Sequence, residues 1–234
     1  MDDDLRSTYL VHKVSARPIL DGDWDGPAWA EAETLTVGAF HTHSTNHRPL
    51  TRLKMVHDDM DLYGLYRVAD RYVRCTHTEY QSAVCRDACV EFFVRPRPDL
   101  GYFNFEMNCG GTLLASYIED WTRVNNPARP EQTFEKYVRL PREHGDLIRI
   151  YHSMPRVVDP EIHEPVEWRL EFHIPIRLFE AYLGPLGAVS GQTWRANFNK
   201  CADESSHPHW ATWAPIGEAL NFHQPDYFGA IRIE

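Results

Sequence analysis

Alternation of apolar and polar side chains along short segments is the feature that most limits how this chain can fold. In Tyr102–Asn108, Phe103 and Phe105 alternate with polar residues, and segments 168–174 and 194–201 repeat this pattern. Successive side chains of a β-strand point to opposite faces of a sheet. Each segment therefore predicts a strand with one buried face and one polar face.

Turn residues separate further segments of this kind. Residues 52–56 and 62–68 flank an Asp-rich turn and predict a hairpin. Strands are also predicted at 88–94 and 227–233. Helical periodicity is scarce, and it predicts only one short helix, over residues 177–183.

The least regular stretch, residues 118–165, is rich in proline. It predicts long loops with two short strands, near 135–140 and 147–153. Many short strands with few helical segments are typical of all-β proteins. The sequence therefore predicts one domain over residues 1–234, an all-β, two-sheet antiparallel β-sandwich with long loops and at most short helices.

Composition and charge exclude several classes of partner. The chain has 234 residues with 24 Lys+Arg and 34 Asp+Glu, a formal net charge of −10, whereas phosphate binding needs a basic surface. No apolar stretch approaches the roughly 20 residues of a spanning helix, so we expect neither nucleic acid nor membrane as a partner. The start, Met-Asp-Asp-Asp-Leu, lacks the basic and apolar parts of a signal peptide. This predicts a cytoplasmic protein, or a secreted or periplasmic one whose leader has been removed.

The five cysteines do not form a recognisable framework. An odd number of cysteines in a chain of this length does not indicate a set of disulfides. Cys85 and Cys89 have the spacing of half a metal site, but no Cys-x-x-Cys or His-x-x-x-His accompanies them. We therefore expect the cysteines to be small buried side chains and assign no metal ligands.

The polar sides of the predicted strands carry amides and carboxylates instead of the Lys and Thr of an ordinary solvated sheet. The candidate ligand-binding residues on these strands are Glu91, Asn104, Glu106, Asn108, Glu171, Arg195, Asn197 and Asn199. Such groups offer paired donors and acceptors in fixed planes, which suits sugar hydroxyls. Aromatic side chains in the loops suit the apolar faces of sugar rings. The pattern favours non-catalytic binding of a mono- or oligosaccharide, and a plain solvated outer face is the alternative.

Two other interpretations stay open. Glu91, Glu106 or Glu171 could pair as a carboxylate dyad, which would make the chain a glycan-processing enzyme or an accessory subunit of one. A scaffold without a ligand is also conceivable, but it would leave the Asn-rich face unexplained. No catalytic residue is assigned.

Several sequence blocks carry a resemblance to a known family. The segments Ile-Leu-Asp-Gly-Asp-Trp-Asp-Gly-Pro-Ala-Trp at 19–29 and Asp-Ala-Cys-Val-Glu-Phe-Phe-Val at 87–94 resemble the opening and the "D-x-V-E-x-F" strand of family 9 carbohydrate-binding modules. Blocks at 61–70, 168–175 and 228–233 follow in the family's order. The resemblance covers residues from about 10 to 234 and implies the DOMON-like β-sandwich of jelly-roll type.

The resemblance also implies a sugar site. Members hold a terminal sugar between two Trp side chains, while Glu, Arg and Asn bond its hydroxyls. Glu91 matches the Glu of the family strand, Asn104 and Glu106 occupy the polar positions of the next strand, and Phe222 occupies the position of the second Trp.

One family feature is missing from the sequence. No Trp stands near Val84 or Cys85, where the resemblance puts the first clamp residue. Tyr80 or a loop Trp is expected to replace it, or the ligand differs. Some members bind calcium through loop Asp residues, but the Asp residues at 21–25 and 58–61 form no specific calcium motif, so no cofactor is assigned.

Overall fold

A computed structural model of the chain describes residues 7–125 and 132–234. The strands are β1 (Thr8–Lys13), β2 (Leu35–Val37), β3 (Ala39–Phe40), β4 (Leu50–His57), β5 (Asp61–Asp70), β6 (Val73–Cys75), β7 (Cys89–Arg95), β8 (Tyr102–Asn108), β9 (Leu113–Asn125), β10 (Gln132–Arg139), β11 (Arg149–His152), β12 (Val158–Ile162), β13 (Val166–Pro175), β14 (Thr193–Cys201), β15 (Trp210–Thr212) and β16 (Gly229–Ile233). The helices are α1 (Arg142–Gly145) and α2 (Ile176–Leu183), with 3-10 turns at Pro27–Trp29, Val84–Arg86 and Pro225–Tyr227. The described part of the chain holds no helix with the length and hydropathy that crossing a bilayer demands.

Two sheets face each other, and β1 joins them along one side. The first sheet has the order β10-β9-β8-β7-β14-β16, and the second has the order β4-β5-β13-β11, with β2 on β4. Strand β1 pairs with β16 near its start and with β4 at its end. The predicted two-sheet β-sandwich is confirmed.

The pairings of β1 differ from the wholly antiparallel sandwich that was predicted. Among the strands that the structure describes, β1 is parallel to both of its partners, whereas the other pairs are antiparallel. Parallel neighbours need a long connection between them. The chain supplies one, because a long segment separates β1 from β4 and β16 lies at the far end of the sequence.

Strands with clear alternation lie where they were predicted. The hairpin forms between β4 and β5, the strand Tyr102–Asn108 has the predicted bounds, and α2 begins one residue before the predicted helix. The stretch 118–165 is more regular than predicted, since β9 and β10 form a long ribbon there. Register shifts interrupt this ribbon near Lys136, and both faces of residues 135–139 are exposed. Residues 135–139 therefore form a strand without an alternation of apolar and polar side chains.

The inner faces of the two sheets form an aromatic core. The ring of Phe92 in β7 lies 5.3 Å from that of Phe198 in the same sheet and 5.6 Å from that of Phe172 in the opposite sheet. Gly64 lies opposite Phe172 in the register of β5 and β13, and a Cβ there would lie 2.2 Å from the Phe172 ring. The side chains predicted to face inward, including Phe105, are buried in this core.

A buried ion pair crosses the same interior at one end of the sandwich. The Lys200 ammonium of β14 lies 3.5 Å from the Asp70 carboxylate of β5 and 2.8 Å from Nε2 of His209. Asp70 also bonds His47 and the indole of Trp168. Burial alone would raise the pKa of Asp70, but the Lys200 charge and the His47 bond hold it below its usual range. Burial, followed by the Lys200 charge, lowers the pKa of His209 to about 3.

We expect Asp70→Asn to lower the free energy of unfolding by about 3–5 kcal/mol, because it leaves the Lys200 ammonium buried without a counter-charge. Adding Lys200→Met should recover most of that loss, since the double variant buries no charge at this position. Urea denaturation of the two variants and the parent measures both effects. A double variant as unstable as Asp70→Asn would show that the pair does not account for the loss.

Candidate functional site

The outer face of the first sheet carries a row of polar side chains across three adjacent strands. Asn199 of β14 lies opposite Glu91 of β7, and Glu91 lies opposite Glu106 of β8. The neighbouring Phe92 and Phe198 point into the core, so alternation turns the row outward. The three polar side chains are nevertheless buried. This face is therefore a covered one and not the solvated outer face of the alternative interpretation.

Hydrogen bonds hold the carboxyl groups of this row in place. The Glu91 carboxyl accepts from Nδ2 of Asn199 at 3.1 Å and from Sγ of Cys201 at 3.2 Å. Nδ2 of Asn104 donates to Glu106 at 2.7 Å. Within the described part of the chain, the Oδ1 atoms of Asn104 and Asn199 are buried and have no hydrogen-bond partner. The row thus contains fixed carboxyl groups together with unused acceptors.

A pocket of about 300 Å³ lies over this row. Glu91 and Glu106 line it from the sheet, while Trp210 and Phe222 line it from the segments that follow β14 and β15. The Trp210 indole donates to Asp203 at 2.7 Å, which fixes the orientation of that ring. Aromatic side chains and carboxyl groups therefore meet in one small cavity.

Burial changes the ionisation of the carboxyl groups that line the pocket. Burial raises the pKa of Glu91 well above its usual range, and the charge of Glu106 raises it further. Burial also raises the pKa of Glu106 to about 7, although the bond from Asn104 offsets part of the shift. The pKa of Asp203 is raised for the same reason. Near neutral pH these groups carry less negative charge than three exposed carboxylates would.

Two of the predicted residues hold loops instead of lining the pocket. Asn108 donates to the carboxylate of Asp87 and to the carbonyl of His77. Asn197 both donates to and accepts from the backbone of Ala214. These amides anchor the chain around the pocket, which is a positioning role.

Arg195 and Glu171 lie apart from the row. Arg195 lies opposite Arg95 in the register of β14 and β7, four residues along β14 from Asn199, a distance of about 13 Å in a strand. Glu171 belongs to β13 of the second sheet and faces away from the core. Its carboxylate accepts from the amide of Gly22 at 2.8 Å and bonds His173 at 2.7 Å. Glu171 therefore does not share a pocket with Glu91.

The structure also locates the aromatic residues considered for the clamp. Phe222 lines the pocket. Tyr80 does not reach it, because its hydroxyl donates to the carbonyl of Leu140. Trp210, which was expected to lie in a loop, belongs to β15 and lines the pocket. Its position could not be read from the sequence, because it depends on the pairing of β15 with β14.

Three larger surface cavities of about 560, 570 and 610 Å³ lie elsewhere. Volume alone does not identify a binding site, since sugar recognition needs aromatic faces combined with oriented polar groups. The cavity near α2 is lined by mixed charges, and the one beside β3 is lined by a single carboxyl group, that of Glu218. The smaller pocket over β7 and β8 combines both kinds of group and is therefore the candidate site.

Several solved structures share the fold of this chain. A protein from Bacteroides uniformis, provisionally described as carbohydrate-binding, has a crystal structure that superimposes with a TM-score of 0.81 at 26% identity, covering 98% of this chain and 100% of that one. A family 9 carbohydrate-binding module from Caldicellulosiruptor kristjanssonii in complex with glucose superimposes with a TM-score of 0.60 at 13% identity, covering 97% and 96% of the two chains. The cellotriose complex gives a TM-score of 0.63 at 14% identity, covering 97% and 94%. These last two likenesses show the fold.

No match was found among curated proteins. The sequence profile of carbohydrate-binding family 9, however, matches residues 28–233, which is most of the chain. The chain therefore belongs to carbohydrate-binding family 9.

Proposed function

We propose that the chain binds a sugar non-covalently in the pocket formed by Glu91, Glu106, Trp210 and Phe222. The observation that carries this proposal is the meeting of two fixed carboxyl groups and two aromatic side chains in one pocket of about 300 Å³. That volume is at the lower end for small-molecule sites, so the pocket suits the end of a saccharide chain or a single sugar. The glucose and cellotriose complexes of the structural relatives support a glucose-type ligand.

In this proposal Trp210 replaces the clamp residue that the sequence lacks near Val84. Trp210 and Phe222 pack against the same small cluster of apolar side chains on the outer face of the first sheet. Their faces supply the apolar contact for the C–H groups of a sugar ring. Because the Trp210 indole is held by Asp203, this side of the clamp is ordered before the ligand arrives.

The carboxyl groups supply the polar half of recognition. The Glu91 oxygens already accept two bonds from the protein, and each oxygen can accept a further bond from a hydroxyl. Asn104 and Asn199 orient Glu106 and Glu91 and are positioning residues. A hydroxyl bond to the ionised form of Glu106 contributes about 1.5–3 kcal/mol.

Glycan hydrolysis is the second candidate, because Glu91 and Glu106 lie directly opposite on adjacent strands. A retaining dyad needs one ionised nucleophile beside one acid, about 5–5.5 Å apart. Burial raises the pKa of both groups, and this weakens the case for an ionised nucleophile. Membership of a family of binding modules also favours binding without turnover.

Removing either aromatic face should weaken binding of glucose or a cello-oligosaccharide by about tenfold or more, at about 1.4 kcal/mol per decade. Isothermal titration calorimetry on Phe222→Ala and Trp210→Ala measures the loss. Trp121→Ala is the matched control, because Trp121 packs over Tyr102 and does not line the pocket. If both pocket variants bind as tightly as the parent, the site lies elsewhere.

Sugar affinity should rise several-fold as the pH increases through about 7. The ionised form of Glu106 is the stronger hydroxyl acceptor, and its pKa of about 7 in the free protein means that it gains charge in this range. Titrations at pH values on either side of 7 should show this slope in the parent and in Glu167→Gln, an exposed variant of the second sheet. Glu106→Gln should show a flat profile. The same slope in Glu106→Gln would assign the titration to another group.

We expect no hydrolysis of aryl glycosides by the purified protein, measured by release of the chromophore. Glu91→Gln serves as the matched variant, since it keeps the shape of the side chain and removes its acid. Turnover by the parent that is lost in Glu91→Gln would establish that the chain is a glycan-processing enzyme instead.

A further inference from the structure

Two cysteine thiols lie close to the carboxyl group of Glu91, and one of them, that of Cys201, lines the pocket. Cys89 and Cys201 are directly opposite each other in the register of β7 and β14, and Glu91 follows two residues after Cys89 on the same face. The three side chains are buried. Sγ of Cys201 lies 3.2 Å from Oε1 of Glu91, and the ligand atoms of all three residues lie within 4.8 Å of one another.

We propose that Cys89, Cys201 and Glu91 bind a thiophilic divalent cation, with Zn²⁺ as the best match. In tetrahedral zinc sites the Zn–S distance is about 2.3 Å and the Zn–O distance is about 2.0–2.2 Å, so neighbouring ligand atoms are roughly 3.5–3.8 Å apart. The ligand atoms of the observed cluster lie within 4.8 Å of one another, so a bound ion would draw them closer together. Binding requires small movements of side chains and no change in the register of the strands.

The chemistry of the ligands selects the kind of cation. Two thiolates and one carboxylate favour Zn²⁺ and other thiophilic ions, whereas Ca²⁺ and Mg²⁺ require oxygen ligands throughout. A bound dication would balance the charge of the deprotonated thiols, which the buried surroundings would otherwise oppose. The site is therefore distinct in kind from a calcium loop.

The pocket gives the cation a route of entry and an open coordination position. Cys201 and Glu91 both line the pocket, so an ion held by them is reachable from solvent. Cys85 lines the same pocket, and its carbonyl oxygen lies 3.6 Å from Sγ of Cys201. The fourth ligand would be the Cys85 thiol or a water molecule in the pocket.

Tertiary structure completes what the sequence spacing left as half a site. Cys85 and Cys89 lack a second Cys or His pair nearby in the sequence, but the pairing of β14 with β7 brings Cys201 against Cys89. The chain contains a second pair of neighbouring thiols, because Cys75 and Cys109 form a hydrogen bond with each other. That pair is outside the three-residue cluster, which makes it a matched control.

The test uses fully reduced protein and Zn²⁺ alone, so its outcome does not depend on sugar binding. Calorimetry should show about one equivalent of Zn²⁺ bound, and Co²⁺ in its place should give thiolate charge-transfer absorption. Cys89→Ser and Cys201→Ser should weaken Zn²⁺ binding by roughly 100-fold or more, since even the loss of a supporting group around a metal site costs 10–100-fold. Cys75→Ser and Cys109→Ser should bind Zn²⁺ as the parent does.

Two further measurements cover variants that fold poorly. Zn²⁺ should raise the Tm of the parent, by mass action on the folded state. Glu91→Gln keeps both thiols, so it should retain the Co²⁺–thiolate absorption while binding Zn²⁺ about tenfold or more weakly. Absence of Zn²⁺ binding by the reduced parent would overturn the inference. Equal losses in Cys75→Ser and Cys89→Ser would overturn it as well.

Discussion

The contact between Phe92 and Phe172 holds the two sheets of the sandwich face to face, and the site on the outer surface depends on it. Phe92 of β7 also packs on Phe198 of β14. Core packing therefore decides which side chains of these two strands point inward at this level. Strand geometry then requires the adjacent residues Glu91 and Asn199 to point outward. A one-residue slip in either strand would bury the wrong set of side chains on each face. Core packing therefore determines which polar groups reach the pocket.

Burial on both faces gives the central strands of the first sheet their unusual character. An ordinary sandwich exposes its outer faces to water, but here loops cover the face that carries Glu91 and Glu106. The anchoring amides Asn108 and Asn197 bond the backbone of those loops. The carboxyl groups consequently lose solvation, and this loss is the largest cause of their raised pKa values. Charge at this site is therefore sensitive to pH and to any ligand that replaces water.

Strand β14 links the interior to the site. Lys200 points inward to its buried partner Asp70, while the residues on either side of it, Asn199 and Cys201, point outward and bond Glu91. One short segment thus contributes to the ion pair between the sheets, to the proposed sugar contacts and to the proposed cation site. Glu91 would serve both ligands, so occupancy by a thiophilic cation would compete with a sugar hydroxyl for the same oxygens.

Local alternation was enough to predict the strands with a clear inner face, the short helix α2 and the outward direction of Asn104 and Glu106. Family resemblance put Phe222 forward as a candidate binding residue. These features depend on side-chain direction along one segment, which the order of residues determines. Local alternation does not predict which strands are neighbours, because pairing depends on contacts between residues far apart in sequence. Only the tertiary structure therefore decided that β1 pairs in parallel and that Glu171 belongs to the other sheet. For the same reason, only the fold brings Trp210 over the pocket and places Cys201 against Cys89.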